Sequence, residues 1–139
     1  MYEQDYLMSI IAQLLGAIRR SVERAAGEED PDGAAAMMDA AIGEATDLDG
    51  TALLSLAPAS LAGILQVSGI DPHLTEYVAR SLWLSARYHG EAGNGEMADL
   101  RAGQAQAVAE AFGHELGPEA VTDEELEALL LVDGASDGI

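Results

Sequence analysis

Apolar residues in the first part of the chain recur at intervals of three and four positions, which is the period of a helix buried on one side. The positions of this stripe are Leu7, Ile11, Leu14, Ile18, Val22 and Ala25. Arg19, Arg20 and Arg24 lie near the predicted end, where positive charge stabilises the negative end of a helix dipole. The pattern predicts a first helix over about residues 3–26.

Helical stretches continue along the chain, separated by glycine, proline and acidic turn residues. They are predicted at about 34–46, 51–56, 58–67 and 72–91, then between the Gly93–Gly95 turn and Phe112, and from Thr122 to about Leu131. No strand pattern competes with them. The sequence therefore predicts an all-α protein, a compact bundle of about six to seven helices. Residues 1–132 should form one domain, and residues 133–139 a frayed C-terminal tail.

The segment at residues 50–70 contains no charged side chain, although the chain has 25 acidic residues and 6 arginines. An uncharged segment in such an acidic chain is expected to be buried, either in a core or against a partner. Pro58 and several polar residues interrupt it, which argues against a membrane-spanning helix. We expect a partner surface here, in a homodimer, formed by Leu53, Leu54, Leu61, Leu65 and the Trp83 face of the fifth helix.

The net charge of −19 argues against binding to nucleic acid or to an anionic membrane. The chain has no cysteine, which excludes disulfides and thiol catalysis, and no lysine, which excludes a P-loop for nucleoside triphosphates. Its acidic N-terminus is unlike the basic start of a secretory signal. We therefore expect a cytoplasmic protein.

One acidic turn has the spacing of a calcium-binding EF-hand loop. Its candidate ligands are Glu28, Asp30, Asp32 and, six residues after Gly33, Asp39. The first ligand is glutamate where aspartate is usual, and the last is the shorter aspartate where glutamate is usual. An acidic cation-binding protein is thus one alternative, and a solvated acidic turn is the simpler interpretation.

No group of residues in the sequence has the spacing of a catalytic or cofactor site. His73, His89 and His114 form no zinc or di-iron motif, and there is no Gly-x-Ser-x-Gly nucleophile. We assign no catalytic residue and no cofactor. A helical bundle that binds a small molecule remains a further alternative, in a cavity among the first, fifth and sixth helices with Tyr77, Arg80 or Tyr88 as polar groups.

The opening motif Asp5-Tyr6-Leu7-Met8, with Ile11 following, resembles the start of a family of small bacterial all-helical proteins of unknown function. This resemblance implies the fold class and no activity.

Residues 82–109 are similar to a tetratricopeptide hairpin, in which two helices flank a Gly-Asn-Gly turn and small residues lie at Ala86, Ala98 and Ala105. This resemblance implies antiparallel hairpins, although an ordinary helical pair has the same pattern. The chain is rich in apolar residues and has no catalytic pattern, so we expect a non-enzymatic interaction or scaffold protein.

Overall fold

Helices account for most of the chain. The structure, a computed structural model, describes the backbone of residues 2–137 and the side chains of residues 5–131. Its α-helices are α1 Tyr2–Val22, α2 Pro31–Thr46, α3 Gly50–Leu53, α4 Pro58–Val67, α5 Pro72–Glu91, α6 Gly95–Ala111 and α7 Asp123–Asp137. A π-helical turn, Glu23–Gly27, follows α1, and a 3₁₀ turn, Pro118–Val121, precedes α7. No strand occurs over residues 2–137, and the prediction of an all-α fold is confirmed.

Prolines and acidic caps determine where several helices begin. Pro31, Pro58 and Pro72 occupy the first turns of α2, α4 and α5, where the missing amide hydrogen breaks no helical hydrogen bond. Asp30 caps α2 by accepting a hydrogen bond from the amide of Gly33 at 3.0 Å. Helix α2 therefore begins earlier than the sequence pattern predicts, because the acidic turn supplies both its cap and its first residue.

Helix α5 lies at the centre of the bundle. It packs most extensively against α6 and α2, and also against α1 and the 3₁₀ turn. Val78, Leu82 and Leu84 are completely buried. Helix α4 packs against α6, and α1 packs against α2. The strong apolar character of α5 on several sides is thus explained by neighbours on several sides.

The uncharged segment at 50–70 is divided between α3 and α4, and its leucines lie in the core. Leu53, Leu54, Leu61, Leu65 and Trp83 are each at most 9% exposed. The indole Nε1 of Trp83 also donates a hydrogen bond to the carbonyl oxygen of Leu116 at 3.1 Å. The prediction that these five residues together form a partner surface is wrong, because the chain's own helices cover them, although Leu54 also borders a surface cleft. No helix in residues 2–137 is long and apolar enough to span a membrane.

Helix α7 begins at the predicted cap. The amide of Glu125 donates to the hydroxyl oxygen of Thr122 at 3.3 Å. The helix is traced to Asp137, beyond the predicted end near Leu131. The frayed tail predicted at 133–139 lies outside the residues whose side chains are described.

Gly43 of α2 and Gly50 of α3 allow their two helices to meet closely. A Cβ atom on Gly43 would lie 2.9 Å from the Cα atom of Gly50, whereas one on Gly63 of α4 would meet no atom within 4 Å. Gly43→Ala should lower the free energy of unfolding by about 1–3 kcal/mol, because the backbones would have to separate. Gly63→Ala should raise it by about 0.5–1 kcal/mol, because alanine favours the helix. Urea unfolding followed by circular dichroism measures both, and shifts in the same direction would contradict the close approach.

Candidate functional site

A cluster of polar side chains connects three helices in the interior. Its members are Asp39 of α2, Ser85 and His89 of α5, and Arg101 and Gln104 of α6, and we call it the polar cluster. Asp39 is partly exposed, and the other four are less than one-tenth exposed. Burial of a polar group is costly unless a hydrogen bond replaces its water, so the contacts within the cluster determine its stability.

The ion pair between Asp39 and Arg101 is the centre of the polar cluster. Arg101 Nε donates to Asp39 Oδ1 at 3.1 Å, and Arg101 Nη2 donates to Asp39 Oδ2 at 3.2 Å. The hydroxyl of Ser85 donates to the same Oδ1 at 2.6 Å. Two parallel bonds from a planar guanidinium fix direction as well as distance. The pair therefore holds α2 in one orientation relative to α6.

His89 lies one helical turn after Ser85 and contacts the same carboxylate. Its Nε2 atom is 3.3 Å from Asp39 Oδ2. An ionised carboxylate only accepts hydrogen bonds, so Nε2 carries a proton in this contact. The other ring nitrogen, Nδ1, is buried and has no hydrogen-bond partner among the described residues. His89 therefore makes its hydrogen bond in the polar cluster through Nε2 alone.

Arg101 and Gln104 also hold the connection between α3 and α4. The last carbonyl groups of a helix have no partner within it. Arg101 Nη1 donates to the carbonyl oxygen of Leu54 at 2.8 Å and to Gln104 Oε1 at 3.0 Å. Gln104 Nε2 donates to the carbonyl oxygens of Leu54 at 3.0 Å and Leu56 at 2.8 Å. The polar cluster thereby satisfies backbone groups that would otherwise be buried without partners.

An open cleft of about 1000 Å³ lies beside the polar cluster, and we call it the α2–α6 cleft. This volume is at the upper end of the range for ligand pockets. Its apolar lining consists of Ala36, Ala40, Leu48, Leu54, Met97 and Leu100. Asp39 and Arg101 also line it, so the buried ion pair forms part of its wall.

The rim of the α2–α6 cleft is negatively charged where α2 ends. Glu44 in the last turn and Asp47 at the C-cap are exposed and line the cleft. Neither has an ion-pair partner among residues 5–131, and the last turn of α2 contains no basic residue. The carboxyl end of a helix is itself negative, so these charges add to its field. Because Arg101 balances Asp39, the cleft faces about two unbalanced negative charges.

No family model, curated protein or solved structure matches this chain significantly. The resemblances to a bacterial helical family and to tetratricopeptide hairpins therefore stay predictions. Helices α5 and α6 do pack closely across a short turn, but ordinary antiparallel helices also do so.

The carboxylates of the predicted calcium loop do not come together in the structure. The loop's candidates are Glu28, Asp30, Asp32 and Asp39. Asp30 accepts hydrogen bonds from the Gly33 amide and from Arg24 Nε, and these lower the pKa of its carboxyl. Asp39 lies within α2 and binds Arg101. No three acidic or histidine side chains in the described part of the chain are placed to hold one metal ion. This geometry gives the calcium alternative no support.

Two of the three polar groups named for a small-molecule cavity, Tyr88 and Arg80, have other partners. The hydroxyl of Tyr88 shares a hydrogen bond with that of Ser21 at 2.9 Å, and burial raises the pKa of Tyr88. Arg80 Nη1 donates to the carbonyl oxygen of Ala120 at 3.3 Å. Tyr77 packs against the core from a partly buried position. The contacts of Tyr88 and Arg80 hold separate elements of the fold together.

The sequence does contain a signal for the polar cluster. Arg101 is the one arginine of the chain with no acidic residue three or four positions away, whereas Arg80 and Arg87 each have such a glutamate. A helical arginine without a neighbour of opposite charge must find its partner on another helix if it is buried. The lack of a nearby acidic residue therefore distinguishes Arg101 from the other arginines in the sequence, although it does not identify Asp39 as its partner.

Proposed function

We propose that this protein is a non-enzymatic interaction protein that binds a segment of a partner protein in the α2–α6 cleft. The observation that carries the proposal is the polar cluster, whose Asp39–Arg101 ion pair forms part of the cleft wall and is already fixed by hydrogen bonds. A wall that needs no ordering lowers the entropic cost of binding. Because Asp39, Arg101 and Gln104 are bound to one another or to backbone groups, their arrangement favours support of a surface over chemistry on a substrate.

The lining of the α2–α6 cleft suits a segment of polypeptide. Ala36 and Ala40 lie one turn apart on α2, and both are exposed. Their small side chains leave room above the helix, while Met97 and Leu100 of α6 offer apolar contact. Methionine adapts to different side chains, as it does in other peptide-binding grooves.

Random peptides of about twelve residues, which reach across such a cleft when extended, test this proposal. They are selected on the wild-type protein, and binding is measured by fluorescence anisotropy. We expect micromolar binders that Ala36→Trp weakens about tenfold or more, because the indole fills the cleft. Ala59→Trp is the matched control, since Ala59 is an exposed alanine of α4 that does not line the cleft. It should change affinity by less than about twofold.

Two results would overturn the proposal. One is a selection that yields no binder. The other is a set of binders whose affinity Ala36→Trp leaves unchanged, since their site would then lie elsewhere. Circular dichroism checks that both tryptophan variants fold, which the exposure of both alanines leads us to expect.

Self-association remains a separate proposal. The residues predicted for it are buried, so a second copy would need other apolar side chains. Tyr6 and Met8 of α1 and Val67 of α4 are large apolar side chains that are exposed. A light-scattering mass of twice that of the chain, lost when these side chains become polar, would support a homodimer.

A further inference from the structure

The charged rim of the α2–α6 cleft indicates the chemistry of the partner. We infer that the segment bound in the cleft is basic, and that a lysine or arginine of the partner lies against Glu44 and Asp47. This inference rests on the proposed function, and it adds the chemistry of the partner segment, which that proposal leaves open. The occupant is a protein segment that combines basic and apolar side chains.

Charge is the first argument for a basic segment. Glu44 and Asp47 lie together at the carboxyl end of α2, where the helix dipole is also negative. Arg101 cannot balance them, because both oxygens of Asp39 bind its guanidinium. A cation from a partner would relieve the repulsion at this end of the helix. An acidic segment would be repelled both by this rim and by the net charge of −19.

The neighbouring apolar wall is the second argument. Met97, Leu100 and Leu48 line the same cleft as the two rim carboxylates. Lysine and arginine have a long aliphatic stem below a charged head, so one side chain can contact both kinds of surface. A metal ion or a small inorganic cation would use the carboxylates alone. The combination therefore favours a basic side chain on a polypeptide.

The variant that tests the inference is Glu44→Gln/Asp47→Asn. Asp47 has a φ angle of 57°, a left-handed conformation that asparagine also adopts, so the backbone should be retained. The matched control is Glu28→Gln/Asp32→Asn, which removes the same charge from exposed residues before and in the first turn of the same helix. That end lies roughly 20 Å from the rim, which exceeds the Debye length of about 8 Å at physiological salt.

The probe is a fluorescein-labelled peptide of about twelve residues in which leucine and lysine alternate, with a glutamine-for-lysine analogue as its neutral match. We expect micromolar binding of the lysine peptide, about tenfold weaker binding to Glu44→Gln/Asp47→Asn, and less than about twofold change with the control variant. Added salt should weaken binding to the wild type more than to the rim variant. The rim variant should unfold at the same or a higher urea concentration than the wild type, because repulsion with the dipole is removed.

Four results would overturn the inference, and three of them concern the probe peptide, the variants and self-association. The glutamine analogue could bind as tightly as the lysine peptide, the two charge variants could weaken binding equally, or the cleft could be occupied by a second copy. The last case appears as a dimer that Ala36→Trp converts to a monomer. Neutral library peptides that Ala36→Trp displaces and the rim variant does not would refute the basic partner while leaving the proposed function intact. A library without any Ala36→Trp-sensitive binder would instead refute the proposed function.

Discussion

Alanine in place of Asp39 should lower the free energy of unfolding by about 3–5 kcal/mol, a large part of the stability of a domain of this size. Arg101 is only 5% exposed, so Asp39→Ala leaves its positive charge in the interior without a carboxylate. Ser85 loses its hydrogen-bond acceptor in the same substitution. Both effects act on the folded state, since the unfolded chain hydrates these groups.

Urea unfolding followed by circular dichroism measures this loss. Asp99→Ala is the matched control, because Asp99 is exposed on α6 and its removal changes the net charge equally. It should change the free energy of unfolding by no more than about 0.5 kcal/mol. Similar losses in the two variants would mean that the ion pair has no special role.

A double variant separates the stranded charge from the pair itself. In Asp39→Ala/Arg101→Met neither charge of the pair is left in the interior, and methionine replaces the aliphatic stem of arginine. Gln104 still donates to the carbonyl oxygens of Leu54 and Leu56. The double variant should therefore be at least about 1 kcal/mol more stable than Asp39→Ala alone. A double variant less stable than Asp39→Ala would contradict this account.

The helices could be predicted because their causes are local. The stripe of α1 repeats every three or four residues, and Asp71 followed by Pro72 combines a cap with a first-turn proline. The start of α2 was harder to predict. The turn residues before Gly33 are typical of a loop, but they can also cap a helix. Only the contacts of Asp30 with Gly33 and Arg24 show that a helix begins here.

The site could not be predicted in the same way, because its contacts join distant parts of the sequence. Asp39 and Arg101 are 62 residues apart, and Asp39 and Ser85 are 46 apart. Helical periodicity shows which face of a helix is apolar, but it does not show which helices meet or how they are rotated. The spacing of Asp39 after Gly33 therefore suggested a calcium ligand, although the structure turns it toward α6. The rim formed by Glu44 and Asp47 is equally hidden among 25 acidic residues.

The uncharged segment was ambiguous for a different reason. Apolar residues that avoid water can do so in a core or in an interface, and the pattern along one chain is the same in both cases. Leu61 and Leu65 pack inside this chain because α4 lies on α6. If these leucines lie in a core, a substitution should change the stability of the chain. If they lie in an interface, it should change assembly.

Leu61→Ala should lower the free energy of unfolding by about 2–5 kcal/mol, because Leu61 is 1% exposed and its removal leaves a cavity between α4 and α6. Val67→Ala on the same helix is the control. Val67 is 86% exposed, so its loss should change the free energy of unfolding by about 0.5 kcal/mol or less. The mass from light scattering should be the same for Leu61→Ala and the wild type. A Leu61→Ala protein of unchanged stability and altered mass would instead show that the leucine belongs to an interface, because burial by a partner affects assembly before it affects the fold of one chain.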